Sequence, residues 1–174
     1  LRNEGLKLIY VGLESGDDEV LKMINKGETQ QSSINALQKA KKTGIKSSVM
    51  ILNGLAGKKY SEQHALNSAK VVNAVQPEFL STLVLSYPHG LEHFKKRFRG
   101  EFEPCGIPDL LNELKIFLSH TELDQTVFRS DHASNYLILK GTLGREKERM
   151  LKEIDDALED PGNAGLRPEW IRGL

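Results

Sequence analysis

Apolar positions fall into two spacings along this chain, and the switches between them mark its elements. Leu6-Lys7-Leu8-Ile9-Tyr10-Val11-Gly12-Leu13 is almost continuously apolar, carries β-branched and aromatic residues, and ends at Ser15-Gly16-Asp17. That pattern predicts a strand buried on both faces. Ile45 to Leu52, running into Asn53-Gly54-Leu55-Ala56-Gly57, and Phe79 to Leu85 read as two more strands. Between them the spacing becomes helical. Asp17 and Asp18 suit a helix N-terminus ahead of Val20, Leu21 and Ile24, with Gly27 closing it. Ile34, Leu37 and Ala40 lead to a basic last turn, Lys41-Lys42, before Gly44; Ser61 is the expected cap of a helix through Ala65, Ala69 and Val72 that stops at Pro77. Strands recurring about every 35 residues with a helix between them predict right-handed crossovers and a parallel sheet, hence an α/β fold. Gly12, Gly54 and Gly57 lie just beyond the strands' carboxyl ends, where such sheets place ligands.

From Tyr87 to Pro108 the chain is punctuated by Pro88, Gly90, Gly100, Pro104, Gly106 and Pro108 and reads as a loop. Asp109 is the expected cap of a helix with Leu110, Leu111, Leu114, Phe117 and Leu118 on one face. Gln125 to Leu143 looks extended at both ends and polar in the middle, Arg145 to Leu158 is an amphipathic helix, and the tail beyond Asp160 is loop-like. The expected division is therefore βα units over 1–87, a linker over 88–108, and a C-terminal cap of helices and tail over 109–174.

The 174 residues hold 24 Lys+Arg and 24 Asp+Glu, a formal net charge of zero, so no global field holds the chain on nucleic acid or an anionic membrane. Its single cysteine, Cys105, forms no intramolecular disulfide and cannot alone hold a structural zinc or an iron-sulfur cluster, which suits the cytoplasm. No apolar run approaches a membrane span. Leu1-Arg2-Asn3-Glu4-Gly5, without an initiating Met, resembles the end of a helix, so a fragment of a longer polypeptide is expected.

Four clusters carry candidate chemistry. Glu14 and Ser15 follow a buried strand, able to hold ligand hydroxyls or merely local backbone amides. His89 and His93 have the spacing of zinc ligands on a helix but lack a third, and Pro88 and Gly90 disfavour the helix, so no metal is expected. Lys95-Lys96-Arg97-Phe98-Arg99 is a short basic run better read as a solvated face. Phe128-Arg129-Ser130-Asp131-His132-Ala133-Ser134-Asn135-Tyr136 concentrates a guanidinium for binding carboxylate and an imidazole for moving protons, or else ties its segment to the sheet. Its Ser, His and Asp are too close in sequence for a hydrolase triad, whose members converge from separate elements.

The stretch GLESGDDEVLKMINKG, the Lys-x-x-Gly-Ile helix end, SVMILNGLAG and the helix beginning Ser61-Glu62-Gln63-His64-Ala65 together resemble the second half of a radical S-adenosylmethionine enzyme core, close to the methylthiotransferase and oxygen-independent coproporphyrinogen oxidase groups. FRSDHASNYL and RPEWIRGL are similar to radical-SAM proteins labelled Fe-S oxidoreductases. The resemblance implies later strands of a partial TIM-type barrel with a mostly helical C-terminal extension. It implies cofactor contacts at Glu14, Ser15, Asn53 and Gly54, and a substrate end lined by Arg129, His132 and Asn135. Where the family pattern has a glycine four residues before Gly54 and a glutamate three after it, this chain has Met50 and Gly57.

The family's C-x3-C-x2-C loop is absent from the sequence. S-adenosylmethionine and a [4Fe-4S] cluster are therefore expected only of an intact parent, with the missing N-terminal half as partner and this chain inactive alone. Alternatives from other classes are a cofactor-free α/β module for a phosphate or small metabolite, and a docking domain pairing with a second copy through exposed sheet edges.

Overall fold

The computed structural model describes residues 1–87, 89–98 and 101–172; within the glycine-and-proline-rich stretch, Pro88, Arg99 and Gly100 lie outside it, as do Gly173 and Leu174. Five strands form one sheet in the order β1 (Leu8–Glu14), β2 (Lys46–Asn53), β3 (Phe79–Val84), β4 (Val127–Ser130) and β5 (Leu139–Thr142). The first four are parallel and β5 is antiparallel to β4. The crossovers are α1 (Asp18–Met23) with α2 (Gln30–Lys42), then α3 (Gly57–Val75), then a longer connection containing α4 (Leu91–Lys95) and α5 (Ile107–Ser119); α6 (Leu143–Glu159) follows β5. The α/β architecture expected of a partial barrel is therefore present.

Strand alternation decides which face is covered. Val49 and Ile51 of β2, Leu80 of β3, Phe128 of β4 and Leu139 of β5 point one way and pack with Leu37, Val72, Leu114, Phe117, Met150 and Ile154 of α2, α3, α5 and α6 in a single core. On the opposite face Tyr10, Arg129 and Lys140 are exposed. Across it a register row runs Gly12, Met50, Ser81, Arg129, Lys140, and one step back stand Tyr10 and Ser48. Tyr10 is 76% exposed, so β1 is not buried on both faces as its apolar run predicts: it is an edge strand with only its inward residues covered.

Other boundaries differ for local reasons. Asp17 does cap α1, its carboxylate accepting from Val20 N–H. That helix stops at Met23, however, and Asn25 and Gly27, both at positive φ, turn the chain beyond it. Ser61 lies inside α3, which starts four residues earlier at Gly57, where Lys58 N–H finds Glu103 O at 2.9 Å. Asp109 sits in the first turn of α5 and accepts from Gly106 N–H at 2.8 Å. The stretch expected as a linker holds α4, a 3-10 turn, and an aromatic cluster of Tyr87, Phe94, Phe98 and Phe102 with ring centroids 4.8–6.1 Å apart. Phe102 lies over Gly57 (φ +61), where a Cβ would come within 2.9 Å of its ring, so glycine lets this segment dock onto the start of α3. The C-terminal part is helical in α5 and α6 but also contributes β4 and β5 to the sheet.

Candidate functional site at the strand ends

The carboxyl ends of β1 and β2 are shaped from behind by polar groups buried between sheet and helices. Glu14 closes β1 with φ 64, a conformation that side chains seldom adopt, and its carboxylate folds back over Gly12, where a Cβ would lie 2.5 Å from Oε1. Lys26 Nζ pairs with it at 3.2 Å, both groups part-buried. Ser15, one residue on, turns inward and is fully buried. Its hydroxyl lies 2.7 Å from His64 Nδ1 and accepts from Asp17 N–H at 3.0 Å.

Asn53 ends β2 and donates from Nδ2 to Leu110 O at 3.1 Å, while its buried Oδ1 has no hydrogen-bond partner among the described residues. Gly54 (φ +82) donates its N–H to Glu113 Oε1 at 2.6 Å and packs so tightly on Leu110 that a Cβ would sit 2.7 Å from Cδ2. Glu113, on the inner face of α5, also accepts the Ser61 hydroxyl. His64 Nε2 stands 3.7 Å from Glu113 Oε1 and 3.1 Å from Leu52 O. Nδ1 of the ring thus faces the Ser15 hydroxyl, and Nε2 faces the Leu52 carbonyl with the Glu113 carboxylate beyond it. Burial pushes the Glu113 carboxyl above the ordinary carboxylate value, with His64, Ser61 and Gly54 N–H pulling the other way. Ser15, His64, Glu113, Ser61 and Gly54 thus form one buried chain that ties the turn after β1 to the turn after β2.

In front of this chain a cleft of about 470 Å³ opens at the ends of β2 and β3, lined by Asn53, Gly54, Leu85, Ser86, Tyr87 and Cys105, with Tyr136, Glu169 and Arg172 on its far side. Its size is that of a small-molecule site. Burial raises the Tyr87 hydroxyl and the Cys105 thiol to about 12, so both are protonated donors at neutral pH. Tyr136 donates to Glu169 at 2.7 Å, and the Arg172 guanidinium stacks 3.8 Å from the Tyr136 ring.

The residues expected at the substrate end are placed differently from one another. Arg129 is exposed on the sheet face away from the core, in register with Ser81. Asn135 is buried and donates to Thr82 O at 2.8 Å. His132 is exposed, its Nδ1 2.9 Å from Ser134 Oγ. No hydrogen bond joins Arg129 to His132 among the described residues, and it is the neighbouring Tyr136 that reaches the cleft. His89 and His93 stack with ring centroids 5.7 Å apart, and no group of three metal-ligating side chains exists among the described residues. Sequence reasoning missed Glu113, although a carboxylate between Leu110 and Leu114 on an apolar helix face is a visible signal. It also missed Arg167, Glu169 and Arg172, whose tail carries no periodic pattern.

Comparison with known proteins bears on the fold and on the first part of the chain. Residues 1–69 match the family model described as the radical SAM superfamily. The match marks this first part of the chain as similar to a radical SAM domain. A curated relative, the tRNA uridine(34) acetyltransferase of Methanocaldococcus infernus, is 29% identical over 110 residues, covering 59% of this chain and 20% of its own length. The solved structure of Methanocaldococcus infernus Elp3 with an N-terminal deletion superposes with a TM-score of 0.61 at 20% identity, covering 87% of this chain and 37% of that one, and shows the shared fold. The chain thus spans well under half of either protein. The curated relative's name describes an acetyltransferase, where the resemblance of the C-terminal segment implied an oxidoreductase group. No helix among the described residues is long and apolar enough to cross a membrane.

Proposed function

We propose that this chain supplies the later strand ends of a radical-SAM enzyme, holding S-adenosylmethionine and presenting substrate contacts, and that the [4Fe-4S] cluster is bound by cysteines outside these 174 residues. One cysteine does not make a cluster site, so the cluster does not fit this chain. S-adenosylmethionine does fit. The observation that carries the reading is the cleft of about 470 Å³ at the ends of β2 and β3, with Gly54 keeping its floor free of a side chain and Tyr87 and Ser86 offering hydroxyls.

In this reading the cleft takes the adenine part, and Glu14, poised over Gly12 and balanced by Lys26, takes ribose hydroxyls. Ser15 acts through the buried chain that fixes the turn rather than by direct contact. The bound cofactor supplies a sulfonium–C5′ bond that a reduced cluster can cleave. Arg129 on the exposed sheet face and His132 in the loop after β4 are the groups for an anionic or proton-exchanging substrate.

The test is to extend the reading frame upstream, reconstitute the product anaerobically with iron and sulfide, and measure S-adenosylmethionine cleavage in the wild type and in Glu14→Ala. The expected result is cluster-dependent cleavage that falls about tenfold or more in the variant. An extended frame without a cysteine triad, or cleavage indifferent to Glu14, overturns the proposal.

A further inference from the structure

β4 follows β3 only from Phe79 to Ser81, which leaves the C-terminal half of β3 without a strand partner on that side. Side chains from the β4–β5 loop complete the ladder. Asn135 Nδ2 donates to Thr82 O at 2.8 Å, and Ser134 Oγ accepts from Val84 N–H at 3.1 Å. Within the loop Asn135 N–H donates to His132 O at 3.0 Å, and the other carbonyls beside the cleft need donors from outside it.

The C-terminal tail fills that need with two arginines. Arg167 Nη1 donates to His132 O at 2.5 Å and reaches Asn135 O at 3.4 Å, its Nη2 donates to Asp131 O at 3.2 Å, and its main-chain N–H donates to Tyr136 O at 2.8 Å. Arg172, buried to all but 7%, donates from Nε to Ser134 O at 2.8 Å while its guanidinium lies on the Tyr136 ring. Glu169 neutralises Arg172 through both carboxylate oxygens at 2.7 and 2.8 Å and accepts from the Tyr136 hydroxyl. A planar guanidinium presents several donors in a fixed fork and so holds a turn of carbonyls in one geometry, whereas an ammonium holds them with less directional constraint.

We infer that Arg167 and Arg172 are positioning residues: they clasp the Asp131–Tyr136 main chain and thereby fix the His132 ring, the Ser134 and Asn135 side chains and the Tyr136 wall of the cleft. The step concerning substrate rests on the function proposed above; the clasp itself does not. Ser134 N–H points at His132 Nδ1 at 3.2 Å and the Ser134 hydroxyl lies 2.9 Å from it, so the clasped loop holds the neutral ring as the Nε2–H tautomer with that nitrogen on the exposed side. The tail is part of the candidate site rather than an appendage.

Nitrogen-15 NMR of this chain with Arg167→Ala, Arg167→Lys and Arg172→Ala tests this without any cofactor. In each variant, Val84 amide exchange is expected to accelerate about tenfold or more, and the His132 ring nitrogens to move toward the averaged tautomers of free imidazole. Val71 and Ile154 amides, deep in α3 and α6, should keep their protection, and Lys at position 167 should restore only part of the His132 signature. Folded variants with unchanged His132 and Val84 signals would overturn the clasp, as would uniform acceleration at Val71 and Ile154. If Arg167→Ala does not fold, Arg167→Lys and Arg172→Ala carry the same readouts. Failure of cofactor binding alone would leave these signals untouched and would count only against the function proposed above.

Discussion

Glu113 shows how one buried charge can organise a turn two elements away. Its folded-state pKa is raised, so the folded chain holds the proton more tightly than the unfolded one. Stability from this group is therefore greatest below the ordinary carboxylate value and declines as pH rises through the raised value, then stays level. Glu113→Gln should abolish that slope: the stability of wild type minus variant, from urea titrations across pH, is expected to fall between the ordinary and the raised value. A difference independent of pH would contradict the assignment. Glycine geometry gives a second prediction. Gly16 lies against α3, where a Cβ would be 2.4 Å from Asn67 O, so Gly16→Ala should destabilise by about 1–3 kcal/mol through overpacking, read from its urea midpoint. Such contacts were hidden in the sequence, because a glycine in a turn signals freedom of φ without naming the backbone that presses on it. The Asp17 cap, by contrast, was legible, since capping is decided within three residues.

At the scale of elements, the local signals served best where one element's own pattern decides its state. The parallel strands, α2 and α6 follow from apolar spacing, and α6 buries the face of Met150, Ile154 and Ala157 that its sequence displays. Ile154→Ala is expected to cost about 2–5 kcal/mol, measured by denaturant unfolding, because the side chain is fully enclosed in the core. The sequence misled where the partner is distant. β1 looked doubly buried because its apolar run cannot report that the strand lies at the sheet edge with Tyr10 exposed. The stretch from Tyr87 to Pro108 looked like a linker because its aromatic residues are irregularly spaced, yet Phe98 and Phe102 are each 4% exposed. Phe102→Ala should loosen this segment from Gly57, with a loss of about 3–5 kcal/mol if the chain unfolds as one unit and a smaller loss if the segment detaches alone.

For the molecule as a whole, the covered face holds the core, and the proposed function assigns its chemistry to the other face and the strand ends. Candidate residues marked by dense polarity, such as Arg129 to Tyr136, were visible in the sequence, but their division of labour was not. Asn135 and Ser134 are occupied in completing β3, whereas Arg129 and His132 remain exposed. The long-range groups that finish the site, Glu113 from α5 and Arg172 from the tail, come from segments whose approach only the tertiary fold determines. Under the proposed function, the strand ends form a cofactor-binding face. Titrating the nitrogen-15-labelled chain with S-adenosylmethionine and following amide shifts tests it most directly. Saturable shifts concentrated at Glu14, Gly54 and Leu85 to Tyr87 are expected; no shifts, or shifts confined to the mixed-charge cleft lined by Lys22, His93 and Lys96, would contradict a cofactor-binding face there.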